Sequence, residues 1–277
     1  LWCTFSHDQI DLNFKDPLVL IEFIEIVLLL LSKGVTTFRL DAVAFIWKKN
    51  GTSCVNLPET HEIVKLLRLI VNYINPHALI VTETNLPRKE NLSYFGNNDE
   101  ANWIYNFPLP PLILYTFLFE DSSKISGWSK SMPPAQINNA YLNFIASHDG
   151  IGMRPAEGIL DNIILDKLFK RVKKNGGKFS FRKVESKNKV YEANITLFDA
   201  LKRTDFDKDG IFAVERYIAA HSILLALEGV PAIYFNSLFG TSNDQNALTK
   251  TGIKRNINRF KWDFSDLNKK LKNKNSL

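Results

Sequence analysis

Short apolar runs of strand length alternate with helical segments along most of this chain, and that alternation restricts it to an α/β architecture. The runs are residues 34–41 (GVTTFRLD), 78–83 (ALIVTE), 103–107 (WIYNF), 141–146 (YLNFIA) and 231–235 (PAIYF). The intervening segments carry helix punctuation. Asp16-Pro17 supplies an N-cap and a first-position proline for a helix running to about Ser32, which Lys33-Gly34 closes. A second helix is predicted from Pro58 to about Asn75, with Ile63, Leu66, Leu67, Ile70 and Ile74 forming a stripe at helical spacing and Pro76 ending it. An apolar helix near 111–119 and another over 211–228 complete the pattern. Strands joined by helices run parallel, so the chain is expected to form an open parallel sheet or part of a barrel. In such proteins chemistry gathers at the carboxyl ends of the strands.

Residues 151–206 interrupt the alternation with a polar, Lys-rich stretch, expected to hold one amphipathic helix and a hairpin around Asn175-Gly176-Gly177. With 277 residues, 45% of them hydrophobic, the chain can bury the core of one barrel or two smaller domains. The net charge of +6 is not interleaved with aromatic residues, so no nucleic-acid partner is expected. The apolar stretch Ile21–Leu31 is broken by Glu22 and Glu25 and is too short to span a bilayer, so no membrane association is expected either. Cys3 and Cys54 offer neither metal spacing nor a disulfide framework, and reduced thiols in a cytoplasmic protein are the expectation. The opening at Leu1 is abrupt and the Lys-Asn-rich end from Lys269 to Leu277 is equally unfinished, as in a fragment of a longer protein.

Three of the apolar runs lead to an acid: Asp41, Glu83 and Asp149. Alternation along a strand puts Arg39 and Asp41 on one face, and a cation there keeps the carboxylate ionised, as a nucleophile or electrostatic stabiliser requires. Taken alone, that pair could equally be a structural ion pair. Opposed carboxylates are what retaining glycoside chemistry needs: one attacks the anomeric carbon while the other protonates the leaving oxygen. Glu83, in Val-Thr-Glu-Thr-Asn, has no adjacent cation in sequence. This difference of setting assigns the nucleophile to Asp41 and the acid/base to Glu83.

Five segments in order then resemble motifs of the α-amylase-type glycoside hydrolases and transglycosidases (glycoside hydrolase family thirteen), in the branch containing sucrose phosphorylase. They are Gln9-Ile10-Asp11-Leu12-Asn13, Phe38-Arg39-Leu40-Asp41-Ala42, Thr82-Glu83-Thr84-Asn85, Ser147-His148-Asp149 and Gly229-Val230-Pro231-Ala232-Ile233-Tyr234-Phe235. The resemblance implies a (β/α)8 TIM barrel lacking its first three β/α units. Residues 1–15 would be the tail of an inserted domain, 16–150 would carry strands four to seven, and 151–206 would form an inserted subdomain with an acceptor and phosphate loop. Residues 207–277 would carry strand eight and the following helix, ending before a C-terminal β domain. Asp41 would bear the covalent glucosyl group, with Arg39 as its orienter, and Glu83 would move the proton. Asp149 and His148 would hold sugar hydroxyls, Arg255 would contact the donor glucose and Phe45 would be an aromatic sugar platform. No metal or cofactor is implied. The substrates would be a small sugar and inorganic phosphate, and an upstream chain or a homo-oligomer is a possible partner.

The activity this implies is reversible phosphorolysis of sucrose or a sucrose-like α-glucoside to α-glucose 1-phosphate. The alternatives are a hydrolase acting on glucosylglycerate or sucrose, and an inactive or split fragment needing a partner chain. Residues 151–158 (IGMRPAEG) are closer to relatives acting on sucrose phosphate, glucosylglycerate or glucosylglycerol than to the strict sucrose enzymes. Lys167, Lys170, Arg171, Lys173, Lys174, Lys178, Arg182 and Lys183 could offset phosphate charge, though a solvated helix face and hairpin account for most of them. Tyr191-Glu192-Ala193-Asn194-Ile195-Thr196 resembles the mobile acceptor loop of phosphorylases. Asp205, Asp207, Asp209 and Gly210 imitate the start of a calcium loop, but its twelfth position is Arg216, and a role as helix N-terminal acids fits better. Asn91-Leu92-Ser93 and Asn194-Ile195-Thr196 are glycosylation sequons in form only, since nothing indicates secretion. His7, His61, His77 and His221 read as structural or surface groups, His221 as a hydrogen-bonded core residue.

Overall fold

The α/β expectation is met in a computed structural model that describes residues 1–184 and 187–273. Its strands are β1 (Thr37–Leu40), β2 (Leu79–Thr82), β3 (Trp103–Tyr105), β4 (Ala140–Asn143), β5 (Ile151–Gly152), β6 (Lys178–Val184), β7 (Lys187–Asn194) and β8 (Val230–Pro231). A five-stranded sheet has the order β1-β2-β3-β4-β8, and a three-stranded one the order β5-β7-β6. Two compact units emerge, neither of them one contiguous stretch. The first comprises Leu1–Asn106, Pro134–Leu142 and Glu228–Val230; the second Phe107–Pro133, Asn143–Leu227 and Pro231–Leu277.

In the first unit β1, β2, β3 and β4 pair in parallel, β1 to β2 from Thr37↔Leu79 to Leu40↔Thr82. Helix Pro17–Ser32 begins as its caps dictate, the Asp16 carboxylate accepting from the Leu18 N–H. Helix Pro58–Ile74 contributes Ile63, Leu67 and Val71 to a core with Val27, Phe38, Ala78 and Ile80. Its stripe is interrupted at Arg68, which is buried and donates to the Glu100 carbonyl at 3.1 Å, while Ile74 is exposed. His61 accepts the same kind of structural duty, its Nδ1 lying 2.7 Å from the Glu100 carboxylate and its ring stacked on Tyr94. Leu18, Ile21, Ile26, Leu29 and Leu30 of the first helix face solvent.

The second unit is built around helix Leu109–Phe119, whose Leu112, Ile113, Leu114 and Leu118 are wholly buried. Helices Asn162–Lys174, Leu197–Lys202 and Ala213–Ala226 pack Leu168, Val172, Leu201 and Leu224 against it. The hairpin expected at Asn175-Gly176-Gly177 is not there. Asn175 caps the preceding helix and its amide donates to the Ala200 and Arg203 carbonyls, so this stretch turns the chain from helix into β6. The antiparallel pair is β6 with β7, Lys178↔Asn194 to Val184↔Lys187, and residues 185–186 between them lie outside the described residues, as does the side chain of Lys183.

Asp207 behaves as a helix N-terminal acid. Its oxygens accept from the Gly210, Ile211 and Phe212 N–H groups and pair with Arg216 at 2.8 Å, while Asp205 pairs with Arg171. Burial would raise the Asp207 carboxyl, but these bonds outweigh it and bring the pKa down to about 2. Asn91 and Asn194 are buried, which removes both sequons from solvent. His221 Nδ1 lies 2.9 Å from the Tyr217 carbonyl on a half-buried ring. Among the described residues no helix is long and apolar enough to cross a membrane.

Candidate active site

In the first unit Asp41 and Glu83 each stand one residue beyond paired strand ends, Leu40 and Thr82. The Glu83 N–H donates to the Leu40 carbonyl at 3.0 Å, continuing the ladder. Ala42 takes the left-handed conformation (φ 46°, ψ 31°), and its N–H donates to Glu83 Oε2 at 2.9 Å. The two strand ends are therefore tied together by main chain and by side chain. Arg39 Nη1 contacts Asp41 Oδ1 at 2.5 Å, and its Nε donates to the Tyr105 hydroxyl at 2.9 Å. Burial alone would lower the Arg39 pKa. The bond to Asp41, the Tyr105 hydroxyl and the charge of Glu83 outweigh it and hold the guanidinium above its ordinary value.

That last influence corrects the reading that Glu83 lacks a neighbouring cation. Arg39 is remote from it in sequence, yet strand pairing brings their elements side by side. Phe45 closes the short turn Val43–Phe45, half-buried, edge-on to Phe5 with ring centroids 5.3 Å apart. Its carbonyl accepts from Lys48 Nζ at 2.5 Å, and the same ammonium meets Asp11 Oδ2 at 2.6 Å. Asp11, from the first of the five motifs, thus anchors the segment before the first helix to the loop after Asp41.

In the second unit Asp149 lies six residues past the end of β4, not at a strand end as expected, because β4 ends at Asn143. Its Oδ1 is the meeting point of Arg255 Nη1 at 3.0 Å, Arg259 Nη2 at 2.9 Å and His148 Nε2 at 3.4 Å. Arg259 Nε and Asn258 Nδ2 both donate to the His148 carbonyl, at 2.8 and 2.7 Å, which fixes the His148-Asp149 loop. Gly150 follows at φ 110°, where a Cβ would come within 2.5 Å of the Ala193 carbonyl oxygen. Arg255 spends its other edge on Glu192, Nε and Nη2 lying 3.0 and 3.1 Å from the two carboxylate oxygens. Tyr191–Asn194 is part of β7 rather than a loop.

The first unit therefore brings together Arg39, Asp41 and Glu83, with Phe45 on the adjoining turn; the second brings together His148, Asp149 and Arg255. Tyr105 and Arg259 receive no role from the sequence, and Glu192 and Asn194 are named there only as part of the segment resembling an acceptor loop. A signal existed for three of them: Glu192 and Asn194 share one face of a strand, and Arg259 falls four residues after Arg255. Tyr105 carried none, being 66 residues from the arginine it meets.

Comparison with known proteins gives these geometries a context. Residues 2–150 match the α-amylase family, described as "Alpha amylase, catalytic domain". A glucosylglycerate phosphorylase from Allomeiothermus silvanus is 44% identical over 98% of this chain and 49% of its own length. Another from Escherichia coli is 40% identical over 100% of the chain and 50% of its own length. The crystal structure of sucrose 6F-phosphate phosphorylase from Thermoanaerobacter thermosaccharolyticum superposes with a TM-score of 0.84 at 25% identity, covering 99% of this chain and 53% of that one. The chain spans about half the length of the curated relatives it matches. Its parallel sheet and flanking helices are those of part of a TIM-type barrel. By the match over its first 150 residues and by its fold, the chain belongs to the α-amylase catalytic-domain family.

Proposed function

We propose that the protein carries the retaining α-glucosyl-transfer machinery of a phosphorolytic enzyme, with a glucosylglycerate- or sucrose-type α-glucoside as donor. The observation that carries this reading is the placement of Asp41 and Glu83 on neighbouring paired strand ends. Adjacent strands lie about 4.8 Å apart. Retaining enzymes hold their two carboxyl groups about 5–5.5 Å apart, and inverting ones need roughly 6.5–9.5 Å. Side chains on neighbouring strand ends are compatible with the first, closer spacing.

In the reaction, Asp41 attacks the anomeric carbon as Glu83 gives its proton to the departing glycosidic oxygen, leaving a β-glucosyl ester on Asp41. Phosphate then attacks the same carbon, Glu83 takes up the phosphate's proton, and the ester breaks to release α-glucose 1-phosphate and the Asp41 carboxylate. Arg39 orients Asp41 through its contact with Oδ1. His148 and Asp149 take sugar hydroxyls, Arg255 the donor glucose, and Phe45 a sugar face. Segment 151–206 supplies the acceptor side. Phosphorolysis is favoured over hydrolysis by the phosphorylases to which the chain is similar along nearly its whole length.

The test is incubation of the purified chain with phosphate and either glucosylglycerate or sucrose. Glucose 1-phosphate is the expected product, and Asp41→Asn abolishes it while leaving the circular-dichroism spectrum unchanged. Free glucose without glucose 1-phosphate would replace the phosphorylase reading with the hydrolase one. Activity retained in Asp41→Asn would remove the assigned nucleophile.

A further inference from the structure

The second unit holds a buried carboxylate for which the reaction above has no use. Glu192 stands on β7 with 3% of its surface exposed and both oxygens engaged. Arg255 Nε and Nη2 meet them at 3.0 and 3.1 Å in a fork-on-fork pair that fixes the guanidinium plane. The one remaining nitrogen of that guanidinium, Nη1, is the atom that reaches Asp149 Oδ1 at 3.0 Å. A second route joins the same two acids. Wholly buried Asn194 donates through Nδ2 to Glu192 Oε2 at 2.9 Å and to the main-chain carbonyl of Asp149 at 3.1 Å. Asp149 is thus held to Glu192 at its side chain through Arg255 and at its backbone through Asn194.

We infer that Glu192 is a positioning residue for the glucosyl-transfer site: by fixing Arg255 and Asn194 it sets the rotation of the Asp149 carboxylate. Arg255, Arg259 and His148 all converge on Oδ1, so these three contacts leave Oδ2 for the sugar hydroxyl that the proposed role of Asp149 requires. Without Glu192, Arg255 is released to form its own two-pronged pair with Asp149, and that rotation is lost. The inference rests on the role proposed for Asp149. It differs from a merely structural salt bridge, which would affect stability alone.

Two measurements on the full chain test it. In arginine Nε–H correlation spectra, with the Arg255 signal assigned by its loss in Arg255→Lys, the signal is expected to move in Glu192→Gln and also in Asp149→Asn. No response to Asp149→Asn would overturn the coupling, and this readout needs no turnover. In steady-state assays, Glu192→Ala is expected to lower kcat about 100-fold with KM nearly unchanged, the scale of a misplaced catalytic group. Glu192→Gln, which keeps the shape and an acceptor oxygen, recovers about tenfold of that loss. Wild-type kcat in folded Glu192→Ala would overturn the inference. Absence of turnover in the wild-type chain would count against the proposed function, and the spectra would still decide whether Glu192 and Asp149 are coupled.

Discussion

Ala42 shows how much of the site depends on single residues. A left-handed conformation costs a residue with a Cβ about 1–2 kcal/mol, and here its N–H is the donor that holds Glu83 beside the end of β1. Strain of this kind persists where the surroundings over-determine it, and it concentrates at working sites. The Arg39–Asp41 pair is a different matter: with the Asp41 side chain 75% exposed, the pair adds little to stability, so its value lies in orientation and charge. If Glu83 is the proton donor, Glu83→Gln keeps an acceptor for Ala42 and loses only the proton. Turnover of a natural α-glucoside is expected to fall by roughly 10²–10⁴, the usual contribution of a general acid. Formation of the glucosyl ester from an aryl glucoside with a good leaving group is expected to be largely spared. Equal losses on both substrates in pre-steady-state assays would argue against the acid role.

At the scale of elements, two connections decide where functional groups stand. The turn after His148-Asp149 needs Gly150, because a Cβ there would press on the Ala193 carbonyl of β7. Gly150→Ala is expected to cost about 2–3 kcal/mol in urea unfolding through backbone strain and displacement of the strand. Asp207 organises the entry to helix Ala213–Ala226. Its folded pKa of about 2 lies below the usual aspartate value of about 3.9, so the unfolded chain binds the proton more readily. Its stabilisation is therefore fully present above about pH 4 and is lost as the pH falls toward 2. Asp207→Asn is expected to lower Tm at pH 6 and to flatten the decline of Tm between pH 4 and pH 2. An unchanged acid slope in the variant would mean that Asp207 carries no such linkage. Most of these elements were legible from caps and periodicity: Asp16-Pro17 and Pro58 start their helices as expected. The glycine pair at 176–177 misled because a Gly-Gly turn serves a helix end as readily as a hairpin.

At the scale of the whole molecule, apolar surface is left in water. Leu18, Ile21, Ile26, Leu29 and Leu30 are exposed on one helix, with Ile218 and Leu225 exposed on another. Apolar side chains exposed along a helix bind apolar partners or probes. The purified chain is expected to enhance the fluorescence of an environment-sensitive dye, and Leu18→Lys with Leu29→Lys to reduce it while Tm stays within a few degrees. No reduction in the double variant would place the dye elsewhere.

The sequence by itself determined the parallel α/β architecture and the helix starts at Pro17 and Pro58, and it singled out Asp41 and Glu83 just beyond strand ends, because apolar period and caps are local properties of the chain. It could not show what those acids meet. Arg39 feels the charge of Glu83 because β1 pairs with β2, Tyr105 reaches Arg39 across 66 residues, and Glu192 holds Arg255 across 63. Such contacts arise from pairing register and packing between segments far apart in the chain. Only the tertiary structure decided them, and with them the hydrogen bonds and charges that surround each acid.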